Sequence, residues 1–294
     1  MSRAAGDGTS ARVDSPDIFD RTVRRRRRDR AQPGFAKAEF LRQFMLEGIA
    51  GRLDSISRQF GDILDLGCFD AAFVPPVGSR IARLDSGFGF AAAAHGVQGD
   101  EDRLPFGDAV FDLVLAAGTL DSVGDLPGAL TLARRVLRPD GLFLAAFVGA
   151  GSLGTLRSTL LEAEADRPAA RIHPQVDVRA AGDLLMRAGF ALPVADTETV
   201  TVRYASLLSL LRDLRGMGAS NAMPGRSPLR RDVLDRAAAL YNERADADGR
   251  TTERFEIVFM TGWAPAPSQP QPARRGSGTQ SLADALRPPR PKSD

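Results

Sequence analysis

Short apolar runs recur along the first half of the chain, at Ile63–Leu66, Ile81–Leu84, Val97–Gly99, Phe111–Ala117 and Gly141–Val148, each ending in a polar or glycine-containing break. Runs of this length bounded by such breaks read as buried strands. Between the last two, Leu126, Ala129, Leu130, Ala133 and Leu137 fall at three- and four-residue intervals, which predicts an amphipathic helix over Leu126–Leu137 stopped by Arg138-Pro139-Asp140-Gly141. The same periodicity predicts helices at Ala36–Leu53, Leu153–Glu164, Val178–Arg187, Ser206–Arg215 and Arg231–Asp246, with two late strands at Val194–Tyr204 and Phe255–Trp263. Alternating strands and helices indicate one α/β domain over residues 16–264, built on a doubly wound, seven-stranded, mostly parallel sheet. The last two strands are expected to be antiparallel, with residues 205–250 as a helical insertion before the final strand. Residues 1–15 lack periodicity and read as a loose terminus. Residues 265–294, with seven prolines, read as a disordered tail holding one helical turn at Leu282–Leu286.

Composition narrows the function classes. A single cysteine and two histidines in 294 residues exclude a disulfide framework and a Cys- or multi-His metal site, so no metal is expected. The longest uncharged run, Gly141 to Leu156, is shorter than the roughly 20 apolar residues of a spanning helix. With no apolar segment near Met1, a cytoplasmic protein is expected. Basic charge gathers at the ends: residues 1–31 hold nine arginines against five aspartates, and the intervening body is mildly acidic. A whole-domain nucleic-acid footprint does not fit that distribution. The run Arg24–Arg28 could contact nucleic acid, anionic lipid or an acidic partner, but without interleaved aromatics it reads as the solvated face of an N-terminal helix.

Candidate chemistry lies at the strand ends. In an open parallel sheet, ligands bind beyond the carboxyl ends of the strands where strand order reverses. The first strand ends in Asp65-Leu66-Gly67, the second in Asp85, and the third is followed by Asp100-Glu101. A glycine there admits backbone to a ligand, a carboxylate after the second strand suits ribose hydroxyls, and one after the third suits an exocyclic amine. Together they outline a nucleoside pocket without a phosphate cradle, which fits S-adenosylmethionine better than a dinucleotide. Phe69 and Ala71 stand where a nucleotide-binding turn wants further glycines, and a phenyl ring there is expected to weaken cofactor binding. The helix after Asp85 has room for only about two turns. Asp121 and His173 are candidates to orient or deprotonate an acceptor. Cys68 is expected to be buried as a small apolar residue, and His95 to end a helix.

The order Asp65-x-Gly67, Asp85, Asp100-Glu101, Leu104-Pro105-Phe106, Phe111-Asp112-Leu113-Val114 and Leu137-Arg138-Pro139-Asp140-Gly141 resembles class I S-adenosylmethionine-dependent methyltransferases. A closer resemblance, from Phe19 to Trp263, is to the methyltransferase-like assembly factors of respiratory complex I, the NADH dehydrogenase assembly factor 5 family. It is carried by Ile18-Phe19-Asp20-Arg21, Asp125-Leu126-Pro127, Thr155-Leu156-Arg157, Leu214-Arg215-Gly216-Met217-Gly218-Ala219-Ser220-Asn221 and Met260-Thr261-Gly262-Trp263. The resemblance implies a Rossmann-like fold that binds S-adenosylmethionine through Asp65, Gly67, Asp85, Asp100 and Glu101. It also implies a protein partner, a complex I subunit, which the mitochondrial relative hydroxylates on an arginine, and a place beside the inner membrane through that partner. The His-Trp pair expected after the fourth strand is Asp121-Ser122 here. Two readings follow: an S-adenosylmethionine-dependent enzyme acting on a protein, or a non-catalytic assembly module with a degenerate cofactor pocket.

Overall fold

The structure, a computed structural model, describes residues 17–269 and Ser281. The N-terminal segment 1–15 and the turn expected at Leu282–Leu286 lie outside the described residues. Of the proline-rich tail, residues 265–269 are described, and Gln269 ties them back by donating to the Asp140 carboxylate at 3.0 Å and the Ala264 carbonyl at 2.9 Å.

Seven strands form one sheet: β1 (Asp62–Leu66), β2 (Arg80–Asp85), β3 (Val97–Gln98), β4 (Phe111–Ala117), β5 (Leu137–Val148), β6 (Ala191–Tyr204) and β7 (Thr251–Trp263), in the order β3-β2-β1-β4-β5-β7-β6. The first five are parallel; β7 runs antiparallel to both β5 and β6. Strand order therefore reverses between β1 and β4, which is where the carboxyl edge opens a crevice. The helices are α1 (Arg21–Ala31), α2 (Phe40–Asp54), α3 (Phe88–Ala93), α4 (Leu126–Val136), α5 (Gly154–Ala163), α6 (Val178–Arg187), α7 (Leu207–Gly216) and α8 (Arg231–Glu243). α7 and α8 make up the insertion before β7.

Two apolar layers sandwich the sheet. Alternate residues of β4 and β5 send Leu113, Leu115, Leu142 and Leu144 to one side with Met45, Ile49 and Tyr241, and Val114, Ala116, Phe143 and Ala145 to the other. α4 completes the second layer with Leu126, Ala129, Leu130, Ala133 and Val136, all buried. Its start is set by Asp125, whose carboxylate accepts from Gly128 N at 2.8 Å, a cap worth about 1 kcal/mol.

Two local readings are corrected. Arg138–Gly141 is not a loop after α4 but the opening of β5; the pairing with β4 slips there between Phe111 and Leu113, where β5 carries three extra residues and Asp140 takes a positive φ of 63°. The second helix begins at Phe40 because Pro33 starts a separate 3₁₀ segment, Gln32–Lys37. The connection between β1 and β2, residues 67–79, contains no helix. The crevice therefore lacks the helix N-terminus that would present backbone N–H groups and a positive dipole end to an anionic ligand group.

Candidate functional site

The turn after β1 keeps the backbone of a glycine-rich turn without its glycines. Gly67, Phe69 and Ala71 all have positive φ, at 66°, 46° and 59°. Gly67 is required: a Cβ there would sit inside the Thr119 side chain. Phe69 and Ala71 hold the left-handed conformation as L-residues with a Cβ, which costs roughly 1–2 kcal/mol each. Phe69 is offset by packing. Its ring is buried, stacks on Phe35 at 5.0 Å and meets the edge of Phe90 at 5.3 Å.

Asp85 ends β2 with no exposed surface, and its two oxygens are fully engaged. Oδ1 accepts from Arg28 Nε and Gly87 N, each at 2.8 Å; Oδ2 accepts from Phe69 N at 3.0 Å and from Arg28 Nη2. The Arg28 guanidinium lies 3.8 Å from the centre of the Phe69 ring. A bidentate arginine stacked on an aromatic face is among the stronger side-chain anchors of a buried carboxylate.

Next along the edge, Glu101 is enclosed and accepts from Arg24 Nη1 at 2.7 Å and Nη2 at 2.8 Å, and from the Thr119 hydroxyl. Burial alone would raise its pKa, but the Arg24 charge and hydrogen bonds outweigh this and hold it down at about 2. The mirror effect acts on Arg24, where burial opposes the charge and Glu101 raises the pKa above the ordinary arginine value. Asp100 takes Arg25 at 2.6 Å, and Asp102 takes Arg21 at 2.7 Å.

The arginine run is thus not a solvated face. Positions 21, 24, 25 and 28 of α1 share one side of the helix at three- and four-residue spacing, and that side lies on the carboxyl edge of the sheet. Arg24 and Arg28 are 6% and 4% exposed, as buried as core residues. Four neighbouring carboxylates at the strand ends need counter-charges, and the chain supplies its own.

Asp65 and Arg42 lie beneath this layer. Arg42 donates to the carbonyls of Gly67 (3.0 Å), Cys68 (2.8 Å) and Ala117 (2.6 Å) and so fastens the turn to β4. Its distance to Asp65 is 4.0 Å, and both Asp65 oxygens are buried without a hydrogen-bond partner. Burial, only partly countered by Arg42 and Arg83, raises the Asp65 pKa to about 6. Cys68 is buried as expected, its thiol pushed up to about 12 by burial.

Asp121 and His173 stand apart from that row, on the wall of a cavity of about 610 Å³ between the sheet edge, α5 and the insertion. Enclosure pushes Asp121 up to about 6 against the opposing charges of Arg24 and Arg28. The imidazole of His173 is held as a structural tie. Its Nε2 accepts from Ala222 N at 2.7 Å, and it has a backbone hydrogen bond with Ser220 and an edge contact with Phe19 at 4.8 Å. Burial, with the nearby Arg27 charge, lowers its pKa to about 4. The grouping of the cavity's arginines, Arg27, Arg30, Arg171 and Arg215, escaped the sequence reading because two helices and a loop bring them together.

The five residues assigned to S-adenosylmethionine therefore do converge on one edge, but they do not fit the cofactor as they stand. Asp85, expected to accept from ribose, is taken by Arg28; Glu101 and Asp100, expected on the adenine side, are taken by Arg24 and Arg25; and Phe69, Phe35 and Phe90 pack together over the turn.

A family model described as "Methyltransferase domain" matches residues 64–145, from the middle of β1 to the last third of β5. Over 91% of its length the chain is 36% identical to "Arginine-hydroxylase NDUFAF5, mitochondrial" of Danio rerio, covering 89% of that protein. The human protein of the same name is 35% identical over 94% of this chain and 87% of its own. Among solved structures, the YcgJ protein of Bacillus subtilis superposes with a TM-score of 0.53, covering 75% of this chain and 99% of that one at 13% identity, a likeness of fold.

Proposed function

The chain belongs to the family of the arginine hydroxylase NDUFAF5 and has the class I methyltransferase fold, and from that premise we propose that it is a partner-holding assembly module whose cofactor site is closed by its own N-terminal helix. The observation that carries this reading is the Arg28–Asp85 pair roofed over Phe69. A cofactor entering there must remove a bidentate arginine from a buried carboxylate and displace three packed phenyl rings. Breaking a buried pair costs about 3–5 kcal/mol, before any ring is moved. The absent helix after β1 removes a further attraction for the amino-acid end of the ligand.

The partner is a protein, and the family resemblance points to a subunit of respiratory complex I. Modification of an arginine, the activity named in the mitochondrial relatives, finds little support in the cavity. Four arginines line it against one free carboxylate, Asp121, so an incoming guanidinium meets like charge. Surface for holding a partner is present: the β1–β2 connection carries Val74 and Val77 almost fully exposed beside Pro75-Pro76.

Calorimetric titration of the full chain with S-adenosylmethionine and with S-adenosylhomocysteine tests the reading. No binding heat into the millimolar range is expected; micromolar binding of either overturns it. A second reading is favoured by the survival of Asp65, Asp85, Asp100 and Glu101: α1 acts as a cover that the cofactor displaces. It requires binding in that titration together with increased protease cleavage within residues 21–31.

A further inference from the structure

The cavity beneath the insertion has its own chemistry, separate from the closed acid row. Its inner walls are largely aliphatic, lined by Leu153 at the start of α5, by Leu156 and Leu160 of α5, and by Leu211 and Leu214 of α7, with Phe255 the one phenyl ring. Its volume of about 610 Å³ lies within the usual range for small-molecule sites, about 300–1,000 Å³. Walls of flexible aliphatic side chains suit a narrow alkyl body better than a flat ring.

Charge is concentrated and unbalanced. Arg171 is held by Glu164 at 2.5 Å, but Arg27, Arg30 and Arg215 have no carboxylate within 4.0 Å among the described residues. Arg27 is the telling one: its Nη1 is buried with no hydrogen-bond partner. Arg27 as a whole is half-buried and Arg30 and Arg215 are exposed, but a buried guanidinium nitrogen seldom lacks an acceptor, and a carboxylate or phosphate oxygen is the natural one. The same helix that matches each arginine to an acid on one face leaves these unmatched on the other.

We propose that this cavity binds an amphipathic anion, an alkyl chain ending in a carboxylate or phosphate, with the chain among the α5 and α7 leucines and the head against Arg27 and Arg215. The site is distinct from the acid row, so the proposal stands or falls independently of whether the cofactor site is closed.

The test is calorimetric titration of the full chain with four probes of equal chain length, kept below their micelle concentrations: dodecanoate, dodecyl phosphate, dodecanol and dodecyltrimethylammonium. One or both anions should bind; which of them binds tells a fatty-acid source from a phospholipid-derived one. Dodecanol should bind at least about tenfold more weakly, and the ammonium not at all. Arg27→Gln and Arg215→Gln should each weaken the anion about tenfold while leaving the melting temperature within a degree or two. Leu156→Trp, which fills the alkyl channel, should abolish binding of every probe; where that variant melts early, Leu160→Met supplies a milder change with weaker binding expected. Equal affinity for the alcohol and the anions, binding of the ammonium, anion binding untouched by both arginine variants, or no binding by any probe overturns the proposal.

Discussion

The two sides of α1 make the same residue type do opposite things. On one side Arg21, Arg24, Arg25 and Arg28 each meet a carboxylate at the carboxyl edge of the sheet, and the charges there are matched. On the other, Arg27 and Arg30 face an apolar cavity without an acid within reach among the described residues, and the cavity stays open. Two residues of helical phase separate a structural arginine from one available to a ligand. A buried guanidinium is tolerable only when paired, so position on the helix decides whether a charge holds the fold together or waits for a partner.

The sharpest way to break this contrast is to remove one member of a closed pair. Arg28→Ala leaves Asp85 buried and facing only two backbone N–H groups, and should lower the unfolding free energy by about 3–5 kcal/mol in a urea titration. Arg24→Ala, stranding Glu101, should cost about the same. Asp85→Ala is expected to destabilise as strongly, because it strands Arg28 and releases the turn held through Phe69 N. The double variant Arg28→Ala with Asp85→Ala should be less damaged than the sum of the singles; strict additivity would show that the pair is not coupled.

Phe69→Gly comes next. Relief of the left-handed strain helps by about 1–2 kcal/mol, but the ring it removes is core, and Phe-to-Ala truncations cost about 3–5 kcal/mol. A net loss of about 2–3 kcal/mol is expected, read from melting and denaturant curves together with the cofactor titration. An unchanged melting temperature with newly gained cofactor binding would show that Phe69 is an obstruction and not part of the core.

Asp65 predicts a pH effect of definite sign. Its folded pKa of about 6 is raised above the unfolded value, so the native state retains a proton that the unfolded chain gives up. Its contribution is fully present below pH 4 and lost as the pH rises to 6. Asp65→Asn should therefore be more stable than the parent at pH 7.5, by about 3 kcal/mol, and nearly equal at pH 4. Glu101 works the other way: held at about 2, it stabilises above the ordinary glutamate range and loses that contribution as the pH falls from about 4.5 toward 2. An Asp65→Asn variant whose stability relative to the parent did not change between pH 7.5 and 4 would contradict the Asp65 assignment.

Arg27→Gln, the open-side counterpart of Arg28→Ala, should change stability by less than about 0.5 kcal/mol or raise it slightly. Burial and the charges of Arg226 and Arg30 already press its pKa down. Ala71→Gly should stabilise by about 0.5–1 kcal/mol, since only the left-handed backbone changes. A loss comparable to that of Arg28→Ala in the Arg27 variant would erase the distinction between the two faces.

All seven strands and the antiparallel end were legible in the periodicity, because buried parallel strands read as apolar runs and amphipathic helices repeat at 3.6 residues whatever packs against them. So was the convergence of Asp65, Gly67, Asp85, Asp100 and Glu101, since each follows a strand and strand ends share one edge of a parallel sheet. Even the three- and four-residue spacing that puts Arg21, Arg24, Arg25 and Arg28 on one side of a helix can be read from the chain. What faces that side cannot. The arginines lie about 60 residues or more before the acids they meet, and only the docking of α1 on the carboxyl edge decides that a basic run neutralises the crevice instead of facing water. The cavity is further still from the linear pattern, assembled from α1, α5, α7 and a loop that share no periodicity. Local propensity and burial period are properties of neighbouring residues; charge matching and cavity shape belong to pairs brought together by the fold, and only the tertiary structure decided them.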